Sequence, residues 1–391
     1  MARVLFLMSD TGGGHRAASL AIAAALQERY PGLFTVELVD LWKDYTPFPF
    51  NTVPHSAWRW VNLHPSTFSA MFWIQDRLFR NQSWSRLLCQ QMYPRMKRLY
   101  AEHPADIIVC VHSSFVRPAV YALRKARIDK PFITVITDYA WPTVLWYDTK
   151  VDRCLVPTEP ARERGLSLGM KPSQMLLTGA PVHPKFARLS LSKRDARMEL
   201  GWAPDKRIIL IVGGADGTGP LIATARAIDK RQLDCRLVVV AGRNKSLKVA
   251  LEAMSWTVPT RVYGFVENME VFMRASDLLV TKAGPATITE AALVGLPIIL
   301  GDALKYQESP NVDYVVKHEA GVYAPGARRT ADAVERLLEN GGVALEKLAR
   351  GVKRIAQPDA IWKIADEIGA YAAREEVSAC TSSVAGEGAR L

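Results

Sequence analysis

Lys282-Ala-Gly-Pro-Ala-Thr-Ile-Thr-Glu290 is the stretch whose reading decides the fold. It follows an apolar run, Asp277 to Thr281, and leads into a helix predicted to continue to about Val294. A strand that stops at a Gly-Pro corner and opens a helix leaves backbone N–H groups aimed at one spot. Added to the positive end of the helix dipole, they favour an anion such as a diphosphate. Pro285 suits the first helical position, because its missing N–H would have no partner there in any case. Lys282, Gly284, Ala286 and Thr287 complete the corner, and Glu290 lies one turn inside, placed to accept hydrogen bonds from the paired hydroxyls of a ribose. Further on, Gln307, Glu308 and Asn311 offer amide and carboxylate groups to a sugar. The pattern predicts a pocket for a nucleotide-sugar donor.

Around this stretch the second half of the chain alternates strand and helix. Arg207–Val212 is a strand, Gly213–Pro220 a glycine-rich loop, 221–231 a helix and Arg236–Val240 a strand ending at Gly242-Arg243-Asn244. Val262–Phe265 and Pro297–Leu300 are further strands, with helices near 270–275, 331–338 and 343–355. The glycine loop, with Gly214 and Asp216, brings main-chain N–H groups close to phosphate oxygens. Arg243 and Asn244 are expected at the base or diphosphate, and Phe265 and Val266 beside a uracil ring.

The first half opens the same way. A strand over Arg3–Ser9 runs into the turn Asp10-Thr-Gly-Gly-Gly-His-Arg16 and a helix over Ala17–Tyr30, then a strand over Thr35–Leu41. Such a β–loop–α–β unit is the mononucleotide-binding type. Gly14 belongs to the glycine turn. His15 follows it beside a helix N-terminus, where the dipole keeps imidazole neutral and available as a base. Asp138 ends a strand over 132–137, at the edge where open α/β sheets bind ligands, and is expected to orient an acceptor or assist His15. The expected domains are 1–184, with an insertion at 46–98 and a closing helix at 358–372, and 205–356; 184–204 reads as a linker and 377–391 as a disordered tail.

The 391 residues exceed the size at which one core keeps growing, and the 49% apolar content suits an α/β protein. The net charge is +11. Between Thr46 and Arg98 seven basic residues face one acid, Asp76, and four of the ten tryptophans lie there. Basic charge among aromatics suits an anionic membrane surface, with Trp58, Arg59, Trp60, Phe72, Trp73, Arg77, Arg80 and Trp84 as the expected contacts. Single-stranded nucleic acid is the competing partner for such a mixture; none is expected here. Phe68, Phe72, Gln75 and Phe79 also form a helical stripe of the kind that packs inward. No apolar run approaches the ~18 residues that span a bilayer. The first run is too short for a signal peptide, and the five scattered cysteines form no C-x-x-C pair. Neither His112, His183 and His318 nor any D-x-D pair makes a metal set. These features lead to the expectation of a cytoplasmic protein, peripheral on the inner face of the cell membrane, with no metal and no other cofactor.

Ser9–Arg16, Val135-Ile-Thr-Asp138, Gly179-Ala-Pro-Val-His-Pro184, Val212–Gly217, Gly242–Lys245, Gly264-Phe-Val266, Lys282–Glu290, Gly295–Ile299 and Gln307-Glu308 recur in an order that resembles the monogalactosyl- and monoglucosyl-diacylglycerol synthases of glycosyltransferase family 28. The resemblance spans residues 1 to about 370. It implies the GT-B architecture, two Rossmann-like domains facing across a cleft, with a C-terminal helix crossing back to the first. It also implies UDP-glucose or UDP-galactose as donor, diacylglycerol as acceptor, inversion at the anomeric carbon without a metal, and His15 as the base. Another lipid-linked acceptor and a UDP-sugar epimerase on the same fold are the alternatives. A dinucleotide enzyme is a third, since Gly12-x-Gly14-x-x-Ala17 with Asp40 ending the next strand fits that fingerprint.

Overall fold

The computed structural model describes residues 1–10, 13–48, 50–52, 65–339 and 342–372. The chain divides into two compact units. Met1–Ala57, Ile74–Pro184 and Asp359–Leu391 form the first, and Trp58–Trp73 with Lys185–Pro358 the second.

In the first unit, β1 (Ala2–Met8), α1 (Gly14–Arg29), β2 (Phe34–Asp40) and α2 (Leu41–Tyr45) open the chain. The helices α3 (Pro65–Leu78, whose first nine residues fall in the second unit) and α4 (Gln82–Glu102) follow. Then come β3 (Ile107–Cys110), α5 (Ser113–Lys125), β4 (Phe132–Val135), β5 (Arg153–Val156), α6 (Glu159–Ser167) and β6 (Met175–Leu177). All six strands are parallel, in the order β2-β1-β3-β4-β5-β6. The order reverses between β1 and β3, so the loops leaving those two strands diverge and open a crevice at their carboxyl ends.

Alternate residues of β1 face opposite layers. Val4, Phe6 and Met8 pack with Ala21, Ile22 and Leu26 of α1 and with Ile361, Ile364 and Ile368. Leu5 and Leu7 join Met96 and Leu99 of α4 and Val116 and Leu123 of α5. The helix over 360–372 therefore completes the layer beside α1. Asp366 ties it to Arg29 at 2.9 Å and to the Tyr30 hydroxyl at 2.9 Å.

The insertion is anchored by charge. Asp76 of α3 accepts two hydrogen bonds from Arg164, at 2.7 and 2.8 Å, and one from the Val144 amide at 2.8 Å. Arg117 of α5 donates to the carbonyls of Phe79, Val144 and Tyr147. Arg164 is buried, so this pairing is shielded from water.

The second unit contains α7 (Lys193–Glu199), β7 (Arg207–Val212), α8 (Leu221–Asp229), β8 (Cys235–Val240), α9 (Lys245–Glu252), β9 (Thr260–Tyr263), α10 (Met269–Ala275) and β10 (Leu278–Lys282). It continues with α11 (Pro285–Val294), β11 (Ile298–Asp302), α12 (Ser309–Lys317), β12 (Gly321–Tyr323), α13 (Ala327–Leu338) and α14 (Val343–Ile355). Its strands, also all parallel, run β12-β11-β10-β7-β8-β9. The reversal here lies between β7 and β10, the two strands that end in the glycine loop and in Lys282.

Three elements of this unit had no strong sequence signal: α9, α12 and the three-residue β12. Residues 184–204 are not an open linker. They carry a helical turn, Pro184–Ala187, and α7, whose buried Arg197 donates to Ala275 O at 2.9 Å and pairs with Asp277 at 2.5 Å. Among the described residues no helix is long and apolar enough to cross a membrane. The tail from 377 lies outside the described residues.

Ile364 is fully buried against β1 and α1. Truncating it to Ala is expected to cost about 2–5 kcal/mol, measured as a lowered urea midpoint for unfolding of the first unit. A loss under about 1 kcal/mol would show that the terminal helix is not part of that core.

Candidate functional site

In the first unit Gly13 adopts φ 74° as the cap of α1, a conformation that costs glycine least, and Gly14 and His15 are the first two helical residues. Gly14 is exposed with open space around it. His15 Nδ1 lies 2.7 Å from the Val111 carbonyl, just past β3, and 3.1 Å from Thr137 Oγ1, two residues past β4. A carbonyl only accepts, so Nδ1 carries the proton and Nε2 keeps its lone pair. Nε2 has no hydrogen-bond partner among the described residues. Burial pushes the imidazole pKa down to about 4, against a smaller upward pull from Val111 O. The positive end of α1 acts in the same direction as burial.

His112 packs against this ring at a tilt of 44°, with centroids 4.4 Å apart. It caps α5 by accepting the Ser114 amide at 3.3 Å, and both burial and the neighbouring His15 hold it well below the usual imidazole range. Asp138 does not reach His15 directly. Its Oδ2 takes the Trp146 Nε1 proton at 2.7 Å, and the Thr143 amide also donates to it. Burial raises the Asp138 carboxyl above its ordinary value, with Trp146, Thr143 and Arg164 opposing. Trp146, fully buried, places its ring 6.3 Å from His15. Asp40, the acid a dinucleotide fingerprint would set on a ribose, is held by the Lys43 and Asp10 amides at 3.2 and 3.0 Å.

In the second unit the corner after β10 is built as a helix start. Gly284 caps α11 with no side-chain hydrogen bond, Pro285 opens it, and Gly295 at φ 73° ends it. The amides of Ala286 and Thr287 thus begin a ten-residue helix with no side chain capping them. Lys282 Nζ stands 3.3 Å from Glu308, whose carboxylate is buried and also accepts the Leu304 amide at 3.0 Å. Asn311 is buried and donates to Ala283 O at 2.9 Å. Glu308 and Asn311 therefore brace the corner from behind. Gln307 presents a buried Oε1 that has no hydrogen-bond partner among the described residues. Glu290 is half-buried, and desolvation raises its carboxyl to about 7, lowered by Lys185 and raised by Glu270.

Across the strand reversal, the glycine loop is locked onto the turn after β8. A Cβ on Gly217 would lie 2.0 Å from Ala241 O, and one on Gly242 would lie 2.3 Å from Ala215 O. The Arg243 amide donates to Ala215 O at 2.8 Å. Gly214 takes φ 76° with open space at its Cβ position. The Gly217 and Thr218 amides are spent inside the loop, on Gly214 O and Gly213 O. Arg243 pairs with Asp216 at 3.1 Å and lies 5.3 Å from the centre of the exposed Phe265 ring. Val266 beside it is half-buried. Asn244 is committed as the cap of α9, accepting the Leu247 amide at 2.9 Å.

Trp58, Arg59 and Trp60 lie outside the described residues. Phe72 and Phe79 are half-buried, in line with the inward stripe, while Met71, Trp73, Ile74 and Leu78 of α3 and Trp84 and Leu87 of α4 are exposed. Arg77 and Arg80 are exposed as well, Arg80 lying 3.7 Å from Asp76. Sequence reading missed Val111, Thr137 and Trp146 as neighbours of the imidazole. Only the Val-Ile-Thr-Asp motif hinted at one of them.

Residues 15–182 match the family model for monogalactosyldiacylglycerol (MGDG) synthase, and residues 208–354 match the glycosyltransferase family 28 C-terminal domain. A probable monogalactosyldiacylglycerol synthase, chloroplastic, of Glycine max is 36% identical over 94% of this chain and 71% of its own length. The monogalactosyldiacylglycerol synthase, chloroplastic, of Spinacia oleracea is 35% identical over 94% and 72%. Among solved structures, Acinetobacter baumannii MurG superposes with a TM-score of 0.61 at 16% identity, covering 94% of this chain and 99% of its own; this likeness bears on fold and supports the GT-B architecture. The two relatives are described as chloroplastic, which contradicts the expectation of a cytoplasmic protein on the inner face of the cell membrane. That expectation rested on short apolar runs, which limit what a bilayer could hold and carry no information about compartment.

With the folded His15 near 4 and an unfolded imidazole at its ordinary 6.5, the unfolded chain binds the extra proton between those values. Its contribution to stability is thus complete above pH 6.5 and declines as pH falls toward 4. Selective ¹⁵N-histidine NMR is expected to show His15 titrating at about 4; a midpoint at 6.5 would mean that the ring is open to water.

Proposed function

The chain belongs to the monogalactosyldiacylglycerol synthase family of glycosyltransferases, and we propose that it transfers a hexose from UDP-galactose or UDP-glucose to the free hydroxyl of diacylglycerol. The second unit holds the donor and the first supplies the base. The observation that carries this reading is His15, an imidazole fixed as the Nδ1–H tautomer with its Nε2 lone pair uncommitted among the described residues. The acceptor O–H gives its proton to Nε2, and the freed electron pair forms the new bond to the anomeric carbon. The bond from that carbon to the diphosphate oxygen breaks as UDP departs, so a single displacement inverts the centre. The leaving charge meets the amides of Ala286 and Thr287 and the Lys282 ammonium, which supply the positive field that a divalent ion provides elsewhere. Glu290 takes the ribose hydroxyls, and Phe265 with Arg243 lies beside the base.

The exposed Trp73, Trp84, Met71, Ile74 and Leu78 and the basic Arg77 and Arg80 suit docking on an anionic lipid surface, where each basic side chain adds about 1 kcal/mol. A transfer to another lipid-linked acceptor is the second reading, because the same exposed aromatic and basic side chains would suit any acceptor anchored in an anionic bilayer.

The test is incubation with each UDP-hexose and diacylglycerol vesicles, with products read by mass. Monohexosyl-diacylglycerol is expected, with turnover about 10²–10⁴-fold lower in His15→Ala and UDP affinity kept. Turnover on anionic vesicles is expected to fall as salt rises. Donor consumption without any lipid would favour an epimerase, and full turnover in His15→Ala would remove the imidazole as base.

A further inference from the structure

We propose that Thr137 is the positioning residue for the His15 base. This rests on His15 acting as the base, and it assigns to Thr137 the part that Asp138 was expected to play.

The geometry leaves few candidates for orienting the ring. Nδ1 meets two oxygens, Val111 O at 2.7 Å and Thr137 Oγ1 at 3.1 Å, and no carboxylate. The shorter contact, to an atom that can only accept, uses the Nδ1 proton. Thr137 therefore shares that proton as a second acceptor, since a hydroxyl carries lone pairs as well as a proton. The two oxygens come from the ends of neighbouring strands, β3 and β4, while the imidazole comes from the start of α1. One hydrogen bond, with His112 and Trp146 packed beside the ring, sets a single point of attachment. Two acceptors on different strands fix its plane.

The nearby carboxylate is otherwise engaged. Asp138 accepts from Trp146 Nε1 at 2.7 Å and from the Thr143 amide. This division suits the chemistry. A carboxylate on Nδ1 would raise the imidazole pKa and oppose the effect of burial. A neutral hydroxyl leaves the resting ring unprotonated, and its bond strengthens only when Nε2 takes up the proton and the Nδ1–H becomes more acidic. Thr137 thus contributes most at the moment of transfer, which places its effect in kcat rather than in donor binding.

The test compares Thr137→Val, which keeps the shape and removes the acceptor, with Thr137→Ser, which keeps the oxygen. Expected are a fall in kcat of about tenfold for Val, as for loss of one hydrogen bond to a group becoming charged, with donor KM within about twofold, and near-wild-type turnover for Ser. Two-dimensional ¹⁵N NMR should show His15 as the Nδ1–H tautomer in the wild type and in Thr137→Val alike, since the Val111 carbonyl keeps the proton on Nδ1, so that the loss in kcat reports ring placement and not a change of tautomer. Thr137→Cys, similar in size and a poor acceptor, replaces Val if that variant does not fold. Wild-type kcat in the acceptor-less variants, or an Nε2–H tautomer in the native protein, would overturn the proposal. Inactive His15→Ala beside a fully active Thr137→Val would overturn this inference alone. Fully active His15→Ala would overturn the base assignment itself.

Discussion

An all-parallel sheet whose strand order reverses cannot close over its own reversal point. The two loops leaving the strands on either side turn to opposite faces, and the gap between them is where the carboxyl ends of the strands and the starts of the following helices converge. This chain contains that constraint twice, between β1 and β3 and between β7 and β10. The imidazole of the first unit and the glycine loop and helix corner of the second follow from it. His15 begins the helix after β1 and is held by the residue that follows β3. The glycine loop leaves β7, and the Gly284–Thr287 corner leaves β10. Neither arrangement needs an exceptional backbone, only glycine where a turn demands it, as at Gly13 and Gly217.

The two reversal points are tuned to opposite ends. In the first unit, burial and the α1 dipole keep an imidazole unprotonated, against a smaller upward pull from the Val111 carbonyl. The adjacent His112 is likewise held neutral, so it adds no second positive charge to the ring's surroundings. In the second, a helix start without a side-chain cap, together with Lys282, creates a place for negative charge. The buried Glu308 steadies that lysine, and removing the lysine would strand the buried carboxylate at a cost of about 3–5 kcal/mol. Glu290, raised by burial to about 7, then has reason to seek hydroxyl donors from a ligand.

Much of this was legible in the sequence because the chemistry is local. The helix start at Pro285 was placed from Gly-Pro after an apolar strand, and His15 was picked out from three glycines before it. What was not legible depends on contacts far apart in the chain. Val111 and Thr137 lie 96 and 122 residues from His15 and meet it only because β1, β3 and β4 are neighbours in the sheet. Asn244 and Asn311 look like ligand-facing amides in sequence, yet one caps α9 and the other braces Ala283. The periodicity of α3 told which face packs inward. It did not show that the outward face would keep Met71, Trp73, Ile74 and Leu78 in water.

In the function proposed for this chain, the second unit grips a diphosphate at the first turn of α11. A crystal structure with UDP bound tests it most directly. Phosphate oxygens are expected within hydrogen-bond distance of the Ala286 and Thr287 amides, with the ribose hydroxyls on Glu290. UDP bound elsewhere in the protein, with that helix start left in solvent, would contradict it.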